Sequence, residues 1–312
     1  MHDCVQIGLN MEKLRNRIKR PFTIKIEFTR GCNFSCKFCP IDVLKMYSKN
    51  KKFLDVKTCM TIAKQIKSVN PDGRIELTMR GEPTLNPDML ANLTILRSKL
   101  PNVQISMFTN GALFFKNPTM VMNIIDAGVN ILNIDCYNGT YDRFHKIASD
   151  IVTVYSDIEL KDFRTFSAYK RHKHGNALRV INLVPDIQEG EVDVRQIHNN
   201  AGNVNPEYLK NLPGYVKHKL PMERRCARPF HELVVTYDGE VLICCQDWQA
   251  EYMLGNVFDN TLEEIWWGKE HWKILRSLYK KDRGNVTPCD KCDYKGGYRL
   301  GLLHNPYEDF QW

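Results

Sequence analysis

Residues 23–40 read TIKIEFTRGCNFSCKFCP, a strand pattern that runs directly into a loop with three cysteines. From Thr23 to Thr29 polar and apolar residues alternate, which is the period of a β-strand. Three cysteines then follow within eight residues, separated by three and then two residues: Cys32, Cys36 and Cys39. Such crowding of thiols directly after a strand predicts a loop that holds a soft metal or an iron–sulfur cluster.

The cysteine loop leaves room for a ligand. Three thiolates hold three irons of a four-iron cubane, and the fourth iron is then open to a small molecule. Gly31 lets the backbone curl around the cluster, while Phe34 and Phe38 can shield it from water. Zinc is the alternative, but zinc usually takes a fourth Cys or His nearby, and none stands between Cys39 and Cys59.

Strands and helices alternate beyond this loop. Alternation of this kind predicts a parallel sheet with its chemistry at the carboxyl ends of the strands. About six such units favour an α/β fold, a partial (β/α)6 TIM-like barrel, while the stretch from Ser149 to Gly175 stays ambiguous. The predicted strands are Thr23–Thr29, Ile75–Met79, Val103–Phe108, Val129–Asp135 and Ala177–Val184, and the predicted helices follow Asp55 and span Pro87–Leu100, Pro118–Ala127 and Tyr141–Ala148.

The cysteine loop resembles the signature of the radical S-adenosylmethionine (SAM) superfamily, including the aromatic Phe38 before the last cysteine. In that family SAM chelates the open iron of a [4Fe–4S] cluster. One electron then cleaves SAM to methionine and a 5′-deoxyadenosyl radical, which abstracts a substrate hydrogen. The resemblance implies that Cys32, Cys36 and Cys39 bind this cluster and that Phe38 lies against SAM.

Further SAM contacts are implied by the loops after the next strands. Residues 79–83, MRGEP, resemble the family's Gly-Gly-Glu-Pro motif, with Arg80 in place of the first glycine, so Gly81, Glu82 and the Arg80 backbone would bind the SAM amino group. Asn110 in the Thr-Asn-Gly segment either approaches the ribose or only turns the chain. Asn133 stands where relatives have a SAM-binding serine and His145 near their arginine; the alternatives are a polar strand end and a solvated helix residue.

A second set of cysteines lies near the C-terminus: Cys226, Cys244, Cys289 and Cys292. Four thiols can close a complete cluster or a zinc site. The surrounding sequence resembles the SPASM domain, whose full pattern has seven cysteines. Because no further cysteine follows Cys292, the resemblance implies the shortened twitch form with one auxiliary [4Fe–4S] cluster. Cys245 is the alternative to Cys244 as the fourth ligand.

Composition divides the chain into four parts: an N-terminal extension (1–20), the barrel core (21–185), a connecting segment (186–221), and a cysteine-rich α+β lobe (222–312) in which Leu262–Tyr279 is a helix. The other cysteines, Cys4, Cys59 and Cys136, lack metal spacing and are interpreted as packing residues. Trp248, Trp266, Trp267 and Trp272 are expected in the core of the lobe.

Charge and hydropathy narrow the functional class. The chain has 312 residues, a net charge of +8 and basic runs at 15–20, 49–52 and 170–173. These runs indicate solvated faces or an anionic partner such as nucleic acid, although no nucleic-acid motif is present. No apolar run approaches the roughly 20 residues of a membrane span, and no secretory signal is recognisable, so a cytoplasmic protein without a membrane partner is expected.

Enzymes with such an auxiliary cluster suggest the reaction class. The resemblance implies oxidation, epimerisation or rearrangement of a peptide or small molecule, with a flavodoxin or ferredoxin as electron donor. Modification of a nucleotide or nucleic acid is one alternative, and a non-enzymatic zinc or iron–sulfur protein on nucleic acid is the other. Asp135, Glu82 and Asp247 are all candidate carboxylates, and no sequence feature selects one as a base.

Overall fold

A computed structural model describes residues 20–47, 50–167, 172–185 and 197–295. The following therefore lie outside the described residues: residues 1–19 with Cys4, parts of the three basic runs, residues 186–196 of the connecting segment, and the chain beyond 295.

In the described part of the chain, nine strands form one sheet. They span Thr23–Ile26 (β1), Arg74–Leu77 (β4), Gln104–Thr109 (β5), Ile131–Asp135 (β6), Glu159–Asp162 (β7), Val180–Val184 (β8), Glu232–Val235 (β9), Glu240–Leu242 (β10) and Met253–Asn256 (β11), and a separate ribbon pairs Thr29–Arg30 (β2) with Lys52–Phe53 (β3). The order in the sheet is β11-β10-β9-β1-β4-β5-β6-β8-β7. The six strands β1, β4, β5, β6, β8 and β7 pair in parallel throughout, which confirms the α/β fold and the partial barrel.

The ambiguous segment contains strand β7, which lies at the sheet edge. Strand β8 follows β7 in the chain but inserts between β6 and β7. Strand β8, with the sequence VINLV, is buried along almost its whole length, whereas β7, with the sequence ELKD, is partly exposed. A charged strand tolerates the edge and an apolar strand needs neighbours on both sides, which accounts for the exchange of positions.

Helices cover the apolar face of the sheet. Strand β1 directs Ile24 and Ile26 into this core, and neither side chain is exposed. Asp55 caps the first long helix, since its carboxylate accepts from the backbone N–H of Thr58 at 2.7 Å. The helices span Pro40–Val43 (α1), Val56–Val69 (α2), Met89–Lys99 (α3), Thr119–Asp126 (α4), Tyr141–Val154 (α5) and Pro206–Asn211 (α6).

The C-terminal lobe continues the barrel sheet. Strand β9 pairs with β1 in parallel from Thr23↔Glu232 to Ile26↔Val235, and β10 and β11 extend the sheet in antiparallel fashion. The prediction of one helix over 262–279 is wrong, because the extended backbone of Gly268 (ψ 152°) divides it into Leu262–Trp267 (α7) and Lys269–Tyr279 (α8). Trp266 and Trp272 lie in the core as predicted. Within the described residues no helix is long and apolar enough to span a membrane.

Candidate metal centres

The first cysteine loop follows β2 at the carboxyl end of the parallel strands. Cys32, Cys36 and Cys39 are all partly exposed, and the Phe34 N–H donates to Cys32 Sγ at 3.4 Å. Burial and then the charge of Cys32 raise the pKa of Cys36 to about 11; burial and the neighbouring thiols raise the pKa of Cys39 to about 12. Three thiolates are therefore held close together only if a positive charge lies among them, as the iron of a cluster provides.

Residues 80–82 hold this loop in place. The Gly31 N–H donates to Arg80 O at 2.9 Å, and the Glu82 N–H donates to Gly31 O at 3.0 Å. A Cβ atom on Gly81 would lie only 2.3 Å from the carbonyl oxygens of Gly31 and Thr29, so glycine is required by this close approach. The predicted SAM motif and the cysteine loop thus form one unit.

Glu82 is buried and connects this unit to the end of β5. Its carboxylate accepts from the hydroxyls of Thr84 and Thr109, both at 2.6 Å, and from the Asn110 N–H at 2.8 Å. Burial raises the pKa of Glu82 while these hydrogen bonds oppose the shift. The Asn110 amide lies 3.6 Å from Cys32 Sγ and donates to Asn33 at 2.8 Å, so Glu82 and Asn110 both border the cysteine loop.

The side chains of three other residues predicted near SAM have partners outside the cysteine loop. The Arg80 side chain points away from the loop and forms a two-point ion pair with buried Glu27, at 2.6 and 2.7 Å. Asn133 lies within the polar face of the sheet, where it donates to Ser106 Oγ at 3.1 Å and accepts from Asn182 at 2.7 Å. His145 is on an exposed face of α5, with its Nδ1 3.3 Å from Ser149 Oγ.

Tyr137 is a residue that sequence reasoning missed, although its place two residues after β6 was a signal. Its ring lies 5.9 Å from Phe38 and 6.2 Å from Phe34, between centroids. Its hydroxyl donates to Asp135 at 3.4 Å. Burial, followed by the charge of Glu82, raises the pKa of Asp135 to about 7. A carboxylate poised in this range can hold or release a proton near neutral pH.

The second set of thiols lines one cavity. Cys226, Cys244, Cys289 and Cys292 surround it together with Gln246, whose N–H donates to Cys244 Sγ at 3.4 Å. Cys245 does not line this cavity. Its sulfur accepts from Arg228 Nη1 at 2.5 Å and lies 3.6 Å from Glu232 Oε1.

The sulfurs within each cysteine set are spaced more widely than the sulfurs around a single zinc ion. Sulfurs bound to a single zinc ion lie roughly 3.8 Å apart, given a Zn–S bond of about 2.3 Å. Among the described residues, Glu232, Cys244 and Cys245 form the group whose three possible ligand atoms all lie within 4.8 Å of one another. This group is not a set of three cysteines. Since Lys25 and Arg228 both lie within 4.0 Å of Glu232, their charges oppose a cation there. Both cysteine sets therefore fit a cubane better than zinc.

A buried charged network, also missed, lies on the polar face of the sheet. Lys25 contacts Glu76, which also pairs with Arg74, and Lys25 Nζ lies 3.9 Å from Glu232. Burial raises the pKa of Glu232 to about 7; for Glu76 the charges of Lys25 and Arg74 outweigh burial and lower the pKa to about 2. The polar alternation of β1 was the available signal, because these residues share its polar face.

The connecting segment contacts both sites. Phe38 packs against its apolar residues Ile197, Val204 and Leu209. The segment also contacts the second cysteine set. Asp293, one residue after Cys292, accepts from the Asn199 N–H at 2.7 Å and from the Tyr215 hydroxyl at 2.5 Å. The segment thus joins the first cysteine loop to the second cysteine set.

Two family models match the chain, and between them they cover more than half of it. Residues 26–153 match the radical SAM superfamily, and residues 226–293 match the SPASM iron–sulfur cluster-binding domain. The chain therefore belongs to the radical SAM superfamily and carries a C-terminal iron–sulfur domain of the SPASM type. It is a radical SAM enzyme that uses SAM and [4Fe–4S] clusters, so the non-enzymatic alternative is wrong.

Relatives of this kind cover nearly the whole chain. The S-adenosyl-L-methionine-dependent 2-deoxy-scyllo-inosamine dehydrogenase of Niallia circulans is 23% identical over 272 residues, which are 86% of this chain and 92% of the relative. The crystal structure of BtrN in complex with AdoMet and 2-DOIA has a TM-score of 0.62 at 19% identity, covering 87% and 92% of the two chains. Native anSMEcpe with bound AdoMet has a TM-score of 0.51 at 16% identity, covering 92% and 94%.

Proposed function

We propose that this radical SAM enzyme oxidises a compact, hydroxylated or aminated small molecule by two electrons. The observation that carries the proposal is the buried charged network of Lys25, Arg74, Glu76, Arg228 and Glu232 on the polar face of the sheet, with Cys245 beside it. Bound at these sites, SAM and the two clusters would supply the chemistry: reductive cleavage of SAM, hydrogen abstraction from the substrate, and acceptance of the remaining electron.

In this proposal Cys32, Cys36 and Cys39 hold the cluster that binds SAM. Gly81, Glu82 and the Arg80 backbone face the SAM amino group, and Phe38 packs beside the ligand together with Tyr137. Asn110 is the best supported of the remaining SAM contacts, since it borders both Cys32 and Glu82. Asn133 and His145 have weaker support, because one is engaged in the sheet and the other is exposed.

The auxiliary cluster is assigned to Cys226, Cys244, Cys289 and Cys292. Their common cavity supports Cys244 over Cys245 as the ligand. The Cys245 sulfur instead accepts a hydrogen bond from Arg228 and neighbours Glu232, on the side of the charged network.

The polar face of the sheet supports a polar substrate. It carries Lys25, Glu76, Asn133, Asn182 and Glu232, all of them buried. Amino and hydroxyl groups of a small molecule can form hydrogen bonds with such side chains. The relative from Niallia circulans, by name a dehydrogenase of an amino-cyclitol, favours this class over a peptide, and a nucleotide has less support still.

Reduction requires a one-electron donor, for which we propose a flavodoxin or ferredoxin. Exposed lysines near the first cysteine loop, Lys37, Lys45 and Lys52, would attract an acidic donor. No disulfide joins the ten cysteines that the structure describes, which supports a reducing, cytoplasmic location.

The test is anaerobic reconstitution with dithionite and SAM, with iron counted per chain and 5′-deoxyadenosine measured. We expect about eight irons in the wild type. The C32A/C36A/C39A variant should keep half of them and form no 5′-deoxyadenosine. C244A should lose the auxiliary iron, while its matched control C245A should retain it. Iron loss in C245A but not in C244A would reverse the ligand assignment.

The substrate class is tested with deuterated 2-deoxy-scyllo-inosamine and related amino-cyclitols. Oxidation predicts transfer of one deuterium to 5′-deoxyadenosine and one ketone product per SAM consumed. A product of inverted configuration without a ketone, whether the deuterium is kept or replaced by hydrogen, would instead establish epimerisation, and no deuterium transfer from any member of the panel would overturn the proposed substrate class.

A further inference from the structure

Arg283 is a fully buried cation in the wall of the auxiliary cavity. Its side chain is among the largest that are less than 2% exposed, and it lines the same cavity as the four cysteines. The guanidinium donates to three backbone carbonyl oxygens: Arg224 O at 2.8 Å, Tyr294 O at 2.7 Å and Arg225 O at 3.1 Å. These bonds fix the cation firmly beside the thiols.

The charge of Arg283 has no carboxylate partner within the described part of the chain. Other buried arginines differ in this respect, since Arg80 pairs with Glu27 and Arg74 pairs with Glu76. Carbonyl oxygens satisfy the N–H groups of Arg283 but carry no net charge. Burying a cation without a counter-charge is costly, so a negative group is expected to lie close to it.

The four thiols are the negative groups that the cavity offers. Arg283 lines the cavity together with Cys226, Cys289 and Cys292, so its charge faces their sulfurs. A cluster held by four thiolates is itself an anion and gains a further negative charge when it is reduced. A fixed cation in a buried site therefore stabilises the reduced state more than the oxidised state.

We propose that Arg283 is a positioning residue that raises the reduction potential of the auxiliary cluster and so makes it a better electron acceptor. This inference rests on the proposed ligand set. It assigns the tuning of this reduction potential to one side chain, in addition to the four cysteine ligands. It concerns the direction of electron flow and not the binding of SAM.

The experiment measures the midpoint potential of the auxiliary cluster by redox titration followed by electron paramagnetic resonance. The C32A/C36A/C39A background leaves this cluster as the redox centre observed. Arg283→Gln removes the charge, Arg283→Lys keeps it, and Arg283→citrulline, introduced by amber suppression, removes it while preserving the shape and most N–H donors. Iron per chain is determined for every variant.

We expect Arg283→Gln and Arg283→citrulline to shift the potential downward and Arg283→Lys to stay close to the background value. Arg97→Gln is the matched control: Arg97 likewise donates to carbonyl oxygens, of Gly128 at 2.7 Å and Val103 at 2.9 Å, but it belongs to α3 in the barrel. Its removal should leave the potential unchanged.

The failures are distinguishable. A background protein without iron would refute the ligand set, and hence the proposed function, before Arg283 is tested. If iron is retained and the neutral variants show the background potential, the proposal for Arg283 is overturned. If Arg283→Gln loses iron, the citrulline variant decides, and loss of iron from both would make the role of Arg283 structural and reject the proposal.

Discussion

Single residues set the geometry of the first cysteine loop. Gly81 approaches the backbone of Thr29 and Gly31 so closely that any Cβ would collide with it. Glu82 is buried among four donated hydrogen bonds, which orient it beside Asn110. Asp135 lies at the end of the neighbouring strand β6, and its carboxylate accepts a long hydrogen bond of 3.4 Å from the Tyr137 hydroxyl. Burial therefore acts on Asp135 with little compensation.

The raised pKa of Asp135 predicts a pH-dependent stability. The folded protein holds this proton up to about pH 7, whereas the unfolded chain releases it near pH 3.8. Between these values the folded state binds more protons, so the free energy of unfolding falls as the pH rises. Urea unfolding of cluster-free protein at several pH values should show this fall in the wild type and a smaller fall in D135N. The exposed Asp142 provides the control D142N, and equal slopes in all three proteins would contradict the prediction.

At the scale of elements, β1 has two buried faces of opposite character. Ile24 and Ile26 pack against the helices, while Lys25 and Glu27 lie on the polar face. Glu27 binds Arg80 from the turn after β4, and Arg80 in turn donates to Trp248 O in the lobe at 3.3 Å. One ion pair thus ties the cysteine loop, the SAM motif and the lobe together. This explains why arginine is accommodated where the family motif has glycine, since only the Arg80 backbone meets the cysteine loop.

Breaking this ion pair is predicted to be strongly destabilising. R80M leaves the Glu27 carboxylate buried without its charged partner, which costs on the order of 3–5 kcal/mol. The double variant E27L/R80M should recover most of that loss, because no unpaired charge remains. The control is R164M, which removes the exposed pair of Arg164 with Asp162 and should cost far less, because solvent screens that pair. Chemical denaturation measures all three, and equal costs for R80M and R164M would refute the argument.

At the scale of the whole molecule, the barrel and the lobe share one sheet. Strand β9 forms a four-residue parallel pairing with β1, so β1 is an interior strand and not an edge. The connecting segment adds a second link, because it contacts both Phe38 of the first cysteine loop and Asp293 beside the second cysteine set. The distance between the two cysteine sets is therefore fixed by the strands, each of which rises about 3.3 Å per residue.

This continuity predicts that the barrel does not fold independently. A chain ending at residue 221 would expose the backbone of β1 and leave the Arg80–Glu27 pair without the lobe that covers it. Such an edge favours aggregation. We expect the truncated chain to be insoluble or to unfold without cooperativity, as judged by circular dichroism and thermal melting. A soluble fragment with a sharp transition would show instead that the two parts are separate folding units.

The sequence by itself determined the chemistry of this protein. The spacing of Cys32, Cys36 and Cys39, the alternation of strands and helices, and the second set of thiols each depend on local pattern, and local pattern is visible in a sequence. These patterns predicted the radical SAM family, the partial barrel and the two clusters. The family models confirm these predictions. The individual SAM contacts were carried over from a resemblance and stay predictions.

Only the tertiary structure decided how these parts are combined. The alternation in β1 does not show what covers its polar residues; β9 and the neighbouring strands bury this face, and Lys25 pairs with Glu76 and Glu232. The inner place of β8, the orientation of the Arg80 side chain and the separation of Cys244 from Cys245 likewise depend on residues distant in the chain. Contacts of this kind are set by which surfaces can be buried together, and that choice is made by the whole fold rather than by any one segment.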